Sequence, residues 1–173
     1  WSPMGIQGDA IDSTLPIVVF EAPRASGKTE VCFGAWLAHA ARFPGATGAI
    51  FFSADSELIA FDARVKLWEP GPRIDVFFGW AFPNGSRLRL CVPESKDDAW
   101  ALAGCGFSFI AIDNAEDFDP DVVARVLPTW RANHDKRLVL TNLPGSTTDE
   151  WLQQASLVVV ERSRPPKSHS SMR

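Results

Sequence analysis

The chain has 173 residues, a formal net charge of −4 and an apolar fraction of 46%. This length is typical of a single domain that buries a core without disulfides, and no apolar run is long enough to span a membrane. The negative charge argues against a protein whose whole surface binds nucleic acid, but it is compatible with a local basic patch. Cys32, Cys91 and Cys105 lack metal-ligand spacing, which indicates reduced thiols in a cytosolic protein.

Residues 1–14 show no clear apolar periodicity, and we predict a lead-in without regular structure. The chain begins at Trp1 and not at Met, so we expect a fragment or a processed chain. Gln7 lies shortly before the first predicted strand, and its amide offers both the donor and the acceptor that an adenine edge requires. Two interpretations of Gln7 stay open, an adenine reader and a solvated loop residue.

The next stretch has the pattern of a phosphate-binding loop. Residues 16–20 are mostly β-branched and apolar, which predicts a buried strand, and the apolar residues between 31 and 40 recur at helical spacing. Between these elements, APRASGKT fits the loop pattern, with alanine where the first glycine is more usual. The flanking elements disfavour a chance match. We therefore predict that a nucleotide phosphate is bound by Ala22, Pro23, Arg24, Ala25, Ser26, Gly27, Lys28 and Thr29.

Three side chains of this loop have distinct predicted roles. Lys28 would reach the β- and γ-phosphates of ATP, and Thr29 would offer its hydroxyl to Mg²⁺. Arg24 would clamp phosphate oxygens through its planar guanidinium, or extend toward a neighbouring subunit. Such an arginine can neutralise charge in the transition state, whereas the plain alternative is a solvated loop arginine.

The rest of the chain alternates strands with helices. Strands are predicted at residues 48–53, 107–112, 137–140 and 157–160, and helices at residues 55–68, 97–102, 120–130 and 149–154. Two further strand-like runs, residues 74–82 and 87–92, flank Asn84 and Gly85, which is a strong hairpin signal. The alternation predicts an α/β fold, a P-loop NTPase three-layer sandwich with a mostly parallel central sheet and an inserted β-hairpin. Residues 1–160 would form this ATPase domain, and residues 161–173 a polar, flexible tail or the start of a linker.

Asp113 directly follows a buried strand, and the carboxyl ends of parallel strands converge on one crevice. We therefore predict that Asp113 joins Thr29 at Mg²⁺, which prefers hard oxygen ligands, and a helix cap is the alternative. Asn114 can orient a water molecule but accepts a proton poorly. If a helix or turn starts at Asp113, Glu116 lies about one turn after Asp113 and can face the same side. Three possibilities stay open: Glu116 is the general base, the base is missing, or Asn114 is an engineered change that silences hydrolysis.

Thr141 and Asn142 follow the strand predicted at residues 137–140. Their position at a strand end suits hydrogen bonds to a γ-phosphate or to its attacking water molecule. The same two residue types are also ordinary in turns, so the pattern alone is weak.

These residues together resemble the ATPase domain of the large terminase subunit, the motor that packages DNA into the capsids of tailed phages and herpesviruses. The resemblance covers residues 6–151 and rests on Gln7, the loop PRASGKT, the hairpin around PNGS, the stretch GCGFSFIAIDNAED and the stretch TNLPGSTTDEW. It implies that Gln7 reads adenine, that Arg24 is the loop arginine, and that Thr141 and Asn142 couple hydrolysis to movement. Asn114 stands where the family has its catalytic glutamate.

The resemblance implies an ATP-hydrolysing motor that drives double-stranded DNA into a viral capsid. Its partners would be double-stranded DNA, the capsid portal protein and the small terminase subunit, and its assembled form would be a homo-oligomeric ring. It would act in the cytoplasm of the infected host cell and transiently at the portal. Because such a motor must accept any sequence, DNA would be held through its phosphates. The cations considered for these contacts are Arg87, Arg89, Arg131, Lys136 and Arg137.

Two other functions are compatible with the sequence. One is a helicase-type, nucleic-acid-dependent ATPase core, although the chain has no room for the second motor domain that a helicase normally needs. The other is an assembly module that binds ATP without turning it over, which Asn114 favours. A steady-state ATPase assay with and without DNA separates these functions.

Overall fold

A computed structural model of the chain describes residues 2–3, 5–66, 79–93, 102, 105–130, 136–145 and 161–162. The described helices are α1 (Ile6–Asp12), α2 (Lys28–Arg42), α3 (Asp55–Lys66) and α4 (Pro120–Val126), with 3₁₀ turns at Ala115–Asp117 and Leu127–Thr129. The described strands are β1 (Ile17–Glu21), β2 (Thr47–Phe51), β3 (Gly79–Ala81), β4 (Arg87–Cys91), β5 (Phe109–Ile112), β6 (Arg137–Asn142) and β7 (Glu161–Arg162). They form one seven-stranded sheet in the order β3-β4-β2-β5-β6-β1-β7. Every pairing is parallel except that of β3 with β4.

Alternate residues of the central strands enter two apolar layers, one on each face of the sheet. Phe20 of β1 packs in the layer that contains Trp36 of α2 and Phe61 of α3. Its neighbour Val19 packs in the opposite layer with Val122 of α4. A parallel sheet covered on both faces explains why these strands read as continuous apolar runs. The predicted α/β three-layer sandwich with a mostly parallel sheet is confirmed.

The hairpin forms around Asn84 and Gly85, as predicted. Phe82 N–H donates to the carbonyl of Ser86 over 2.9 Å, and the Asn84 side-chain amide donates to the carbonyl of Ala40 at the end of α2 over 2.8 Å. The second strand of the hairpin, β4, pairs in parallel with β2. The hairpin is therefore part of the main sheet and forms its β3 edge.

The prediction of an irregular lead-in is wrong, because residues 6–12 form helix α1. Ile6, Ala10 and Ile11 face the same apolar layer as α2, and Ala10 and Ile11 are buried. A helix this short is marginal alone, and Gly8 lowers its propensity further. Packing against α2 therefore stabilises a helix that the local sequence does not predict.

Two further boundaries differ from the prediction. The helix expected at residues 120–130 changes to a 3₁₀ turn after Val126, because Pro128 has no backbone N–H to continue the α-helical pattern. The tail expected to be flexible from residue 161 begins with β7, which pairs in parallel with Val18 and Val19 of β1. Strand pairing uses backbone groups, so polar side chains did not prevent it. The predicted elements at 97–102, 149–154 and 157–160, except Leu102, lie outside the described residues.

Gly48 on β2 permits the close approach of α2 to the sheet. A Cβ atom at this position would overlap the ring of Trp36, which is fully buried and packs edge-on against Phe109. We expect Gly48→Ala to lower the free energy of unfolding by about 1–3 kcal/mol, as overpacked cores do. The matched control is Gly8→Ala on α1, where an added Cβ meets nothing within 4 Å and should be neutral or stabilising. Urea denaturation of both variants is the measurement, and equal midpoints would contradict the packing argument.

Candidate active site

Hydrogen bonds hold the loop between β1 and α2 in place, one at its start and one within the loop. Ala22 N–H donates to the carbonyl of Asn142 over 3.0 Å, which joins the end of β1 to the end of β6. Ser26 Oγ donates to the carbonyl of Pro23 over 2.6 Å, which closes the loop on itself. The predicted phosphate loop therefore has a defined shape at the carboxyl end of the sheet.

Two residues turn this loop through left-handed backbone conformations. Ala25 has a φ of 60° and Gly27 a φ of 78°. A left-handed alanine costs about 1–2 kcal/mol, and such strain persists mainly at functional sites. Gln7 of α1 braces the same turn, since its Nε2 donates to the carbonyl of Ser26 over 2.7 Å. The structure thus places the predicted adenine reader against the loop backbone.

A cavity of about 280 Å³ lies between this loop, α3 and the turn after β5. The structure brings seven of the predicted site residues to its wall, namely Arg24, Ala25, Gly27, Lys28, Thr29, Asn114 and Glu116. Four further residues that sequence reasoning missed complete the lining, namely Glu30, Glu57, Arg64 and Asp117. Gln7, Ala22, Pro23, Ser26, Asp113, Thr141 and Asn142 lie outside this lining.

Asp113 lies behind the cavity wall and holds two hydroxyl groups. Thr29 Oγ1 donates to one carboxylate oxygen over 2.6 Å, and Thr141 Oγ1 donates to the other over 2.7 Å. Asp113 is 1% exposed, and this burial raises the pKa of its carboxyl group, while the two hydrogen bonds act in the opposite direction. The buried carboxylate therefore fixes the orientation of Thr29, which does reach the cavity.

Thr141 and Asn142 are fully buried in this structure. Besides donating to Asp113, Thr141 Oγ1 accepts a hydrogen bond from the Asn114 N–H over 3.0 Å. Thr141 thus connects β6 to the turn after β5 and lies outside the cavity lining, and its predicted contact with a γ-phosphate stays a prediction. Both residues pair with β1, which places them under the phosphate loop.

Thr29 and Asp113 provide a donor set that fits Mg²⁺. The Thr29 hydroxyl donates a hydrogen bond to Asp113, so the lone pairs of Thr29 Oγ1 remain available to a metal ion in the cavity that Thr29 lines. Mg²⁺ prefers hard oxygen ligands and retains several water molecules, so one or two protein oxygens are enough. The arrangement favours Thr29 as the direct ligand and Asp113 as the group that orients it.

Asn114 and Glu116 occupy the turn after β5. Asn114 adopts a left-handed conformation with a φ of 51°, which Asn tolerates better than most residues. Glu116 lies on the following 3₁₀ turn, and its Oε1 is 3.4 Å from Lys28 Nζ. Within the described part of the chain, the buried Glu116 Oε2 has no hydrogen-bond partner. Glu116 therefore presents an uncommitted acceptor beside the lysine of the loop.

Helix α3 forms the far wall of the cavity. Arg64 donates to Glu30 Oε1 over 2.6 Å, which ties α3 to the first turn of α2. Glu57 accepts a hydrogen bond from Ser53 Oγ over 2.9 Å. Glu57 and Arg64 are seven residues apart and lie on one side of α3, which is the only sequence signal for them. Charged residues at such a spacing are ordinary on solvated helices, so the signal does not single them out.

The cations considered for DNA contacts have different environments. Arg137 is only 6% exposed, so little of its side chain is accessible at the surface. Arg89 contacts Cys105 Sγ over 3.2 Å, and Lys136 lies over the Trp130 ring. Arg87 and Lys136 are exposed, and Arg131 lies outside the described residues.

Searches for related proteins give results at the level of fold. No protein-family model matches the sequence, and no curated protein sequence matches it significantly. The structure is similar to that of the large terminase from a thermophilic bacteriophage, with a TM-score of 0.68 and 11% identity. It is also similar to the large terminase ATPase domain of Thermus phage P74-26, with a TM-score of 0.61 and 17% identity.

These matches cover most of this chain but only part of the solved proteins. The first covers 91% of this chain and 44% of the other, and the second covers 82% and 65%. The fold is therefore similar to those of the solved large terminases, as the sequence resemblance implied. No helix within the described residues is long and apolar enough to cross a membrane.

Proposed function

We propose that this chain binds ATP with Mg²⁺ and hydrolyses it as the motor domain of a DNA-packaging machine. The observation that carries the proposal is the convergence of Lys28, Thr29 and Glu116 on one cavity beneath a strained phosphate loop. This convergence joins a phosphate-binding cation, a metal-binding hydroxyl and a proton acceptor, which are the groups that phosphoryl transfer to water requires.

The loop and α2 bind the phosphates. Helix α2 begins at Lys28, and the first residues of a helix have backbone N–H groups without intrahelical partners and a dipole that favours an anion. Lys28 is 6% exposed, so its charge acts in a poorly hydrated environment where electrostatic interactions are strong. A phosphate that reaches Lys28 would compete with Glu116, and the 3.4 Å separation of Lys28 and Glu116 shows that this ion pair is loose.

Glu116 is the general base in this proposal. A water molecule attacks the γ-phosphorus, and the carboxylate of Glu116, which lines the cavity, accepts its proton. The bond between the γ-phosphorus and the bridging oxygen breaks, and its electron pair leaves with ADP. Asn114 lines the same cavity and orients the water through its amide. When bound, Mg²⁺ would supply neutralisation of the charge on the phosphates; Thr29 would hold it, and Asp113 would orient the Thr29 hydroxyl.

The wider role follows from the fold. The fold is similar to those of solved large terminases, so we propose that the chain moves double-stranded DNA into a viral capsid. In that role it assembles as a homo-oligomeric ring and acts with the portal protein and the small terminase subunit. It works in the cytoplasm of the infected host cell and transiently at the portal.

A second candidate function has one observation in its favour. Asn114 cannot act as a base, and Lys28 is already paired with Glu116, so the same cavity can serve a module that binds ATP without hydrolysis. Steady-state ATPase rates of the full-length protein, with and without DNA, distinguish the two. Turnover stimulated by DNA supports the motor, and binding without turnover supports the module.

Lys28→Ala is expected to remove most of the affinity for ATP·Mg²⁺. Loss of one partner of a buried charge pair costs about 2–5 kcal/mol, which corresponds to roughly 30-fold to several-thousand-fold in affinity. The measurement is a titration with a fluorescent ATP analogue. The control is Lys66→Ala at the end of α3, where the lysine is 49% exposed and outside the cavity lining. Parental affinity in Lys28→Ala, with an unchanged melting temperature, would show that the site is assigned wrongly.

A further inference from the structure

A second, smaller cavity lies at the opposite end of the sheet. It is about 130 Å³ in volume and is formed where α2 ends and where β1 and β6 begin. Its polar lining includes Ser13, Thr14, Arg42, Lys136 and Arg137. At about 130 Å³ against about 280 Å³, it has less than half the volume of the larger cavity, so it suits a small group and not a whole nucleotide.

Arg137 forms the buried part of this cavity. Its Nη2 donates to the carbonyls of Ala10 and Ile11 over 2.8 and 2.9 Å, which fixes the guanidinium against the end of α1. Its Nε is buried and has no partner among the residues that the structure describes. Burial and, to a lesser extent, Arg42 lower the pKa of Arg137 to about 10, so it remains a cation at neutral pH.

Arg42 and Lys136 complete a cluster of three positive charges. Within the described ranges, neither these two residues nor Arg137 forms a salt bridge. Asp12 acts on Arg137 electrostatically and offsets only part of this charge. Arg42 acts against the positive charge of Arg137, so like charges repel across this small cavity. An anion in the cavity would remove the repulsion and would complete the coordination of Arg137.

We propose that this cavity binds a single phosphate group. Arginine side chains hold tetrahedral oxyanions through paired N–H donors, and the hydroxyls of Ser13 and Thr14 can supply further donors. A phosphate suits three cations better than a single carboxylate does, because a phosphate spreads its charge over several acceptor oxygens. The group belongs either to a nucleic-acid backbone or to free phosphate, since both present the same oxygens.

The test uses inorganic phosphate and removes the first phosphate site. In the Lys28→Ala protein, a phosphate titration is followed by the backbone amide NMR signals of Ser13, Thr14 and Leu15. We expect saturable shifts in this protein and at least about a tenfold weaker apparent affinity when Arg42→Gln and Lys136→Gln are added. Arg125→Gln on α4 is the matched charge control, and it should bind phosphate like its parent.

Several results would overturn the proposal. One is the absence of phosphate shifts in Lys28→Ala, and another is unchanged affinity in the variant that lacks Arg42 and Lys136. A third is binding of a glutamate-rich peptide at this cavity in preference to phosphate, which would make it an acidic-peptide site. Arg137 also donates hydrogen bonds to the end of α1, so it is changed only to lysine, and the melting temperature of Arg137→Lys is measured as a control for folding. This variant should bind phosphate more weakly.

A second arm identifies the source of the phosphate. Binding of a DNA duplex to the Lys28→Ala protein is measured at several salt concentrations. If the group is a backbone phosphate, adding Arg42→Gln and Lys136→Gln should reduce the slope of log affinity against log salt by about 1–2. An unchanged slope, together with weaker inorganic phosphate binding, assigns the site to free phosphate. Neither arm depends on ATP hydrolysis, so the result is independent of the function proposed for the first cavity.

Discussion

Replacing Arg24 by alanine is expected to reduce the ATPase rate of the assembled protein by about 10³–10⁵-fold, while ATP affinity changes only a few-fold. Arg24 is exposed at the rim of the larger cavity and directly precedes the left-handed Ala25. Among the described residues it forms no salt bridge, so its guanidinium is available to a γ-phosphate in the same subunit or in the next. A charge applied mainly in the transition state lowers the barrier without tightening the ground state.

The measurement pairs two quantities on the full-length assembled protein, ATP affinity by titration and the DNA-stimulated ATPase rate. Arg24→Lys should also be slow, because an ammonium group lacks the planar fork of a guanidinium. Arg125→Ala is the control, since Arg125 is an exposed arginine on α4 outside the cavity lining. If Arg24→Ala loses affinity and rate in equal proportion, Arg24 is an ordinary phosphate clamp.

Glu116→Gln is expected to lower the turnover rate by about 10²–10⁴-fold, the usual cost of losing a general base. Glutamine keeps the size of the side chain and can still accept a hydrogen bond from Lys28, but it cannot accept a proton. Nucleotide affinity should therefore change much less than the rate. Asp117→Asn is the matched control, because Asp117 is the adjacent carboxylate in the same cavity and is more exposed.

Asn114→Glu tests the competing assignment of the base. Because Glu116 already supplies the base in this proposal, we expect no gain in turnover from this change. Glutamate would also adopt the left-handed backbone of Asn114 at a cost of about 1–2 kcal/mol. A gain in Asn114→Glu, with no loss in Glu116→Gln, would instead show that the base is missing in this chain. The isolated chain should hydrolyse ATP slowly in either case, because the neighbouring subunits of the proposed ring are absent.

Local sequence patterns were enough to predict the phosphate loop and the strand and helix on either side of it. The apolar strand before Ala22, the loop with Gly27 and Lys28, and the helix after them are neighbours in the chain, so their pattern can be recognised without tertiary contacts. The position of Asp113 near the loop was predictable because Asp113 follows an apolar strand, and the carboxyl ends of parallel strands meet at one edge of the sheet. The hairpin was predictable because Asn84 and Gly85 determine a turn within a few residues.

The tertiary structure decided the features that depend on contacts distant in sequence. Helix α1 exists because Ala10 and Ile11 pack in the layer of α2, and Arg137, far along the chain, binds the carbonyls at its end. The hydrogen bond of Thr141 to Asp113 was not predictable, because a buried hydroxyl bonds to whichever acceptor the fold places beside it. Arg64 and its partner Glu30 reach the cavity only because α3 folds back onto α2, and no local pattern of charges on a helix specifies that docking.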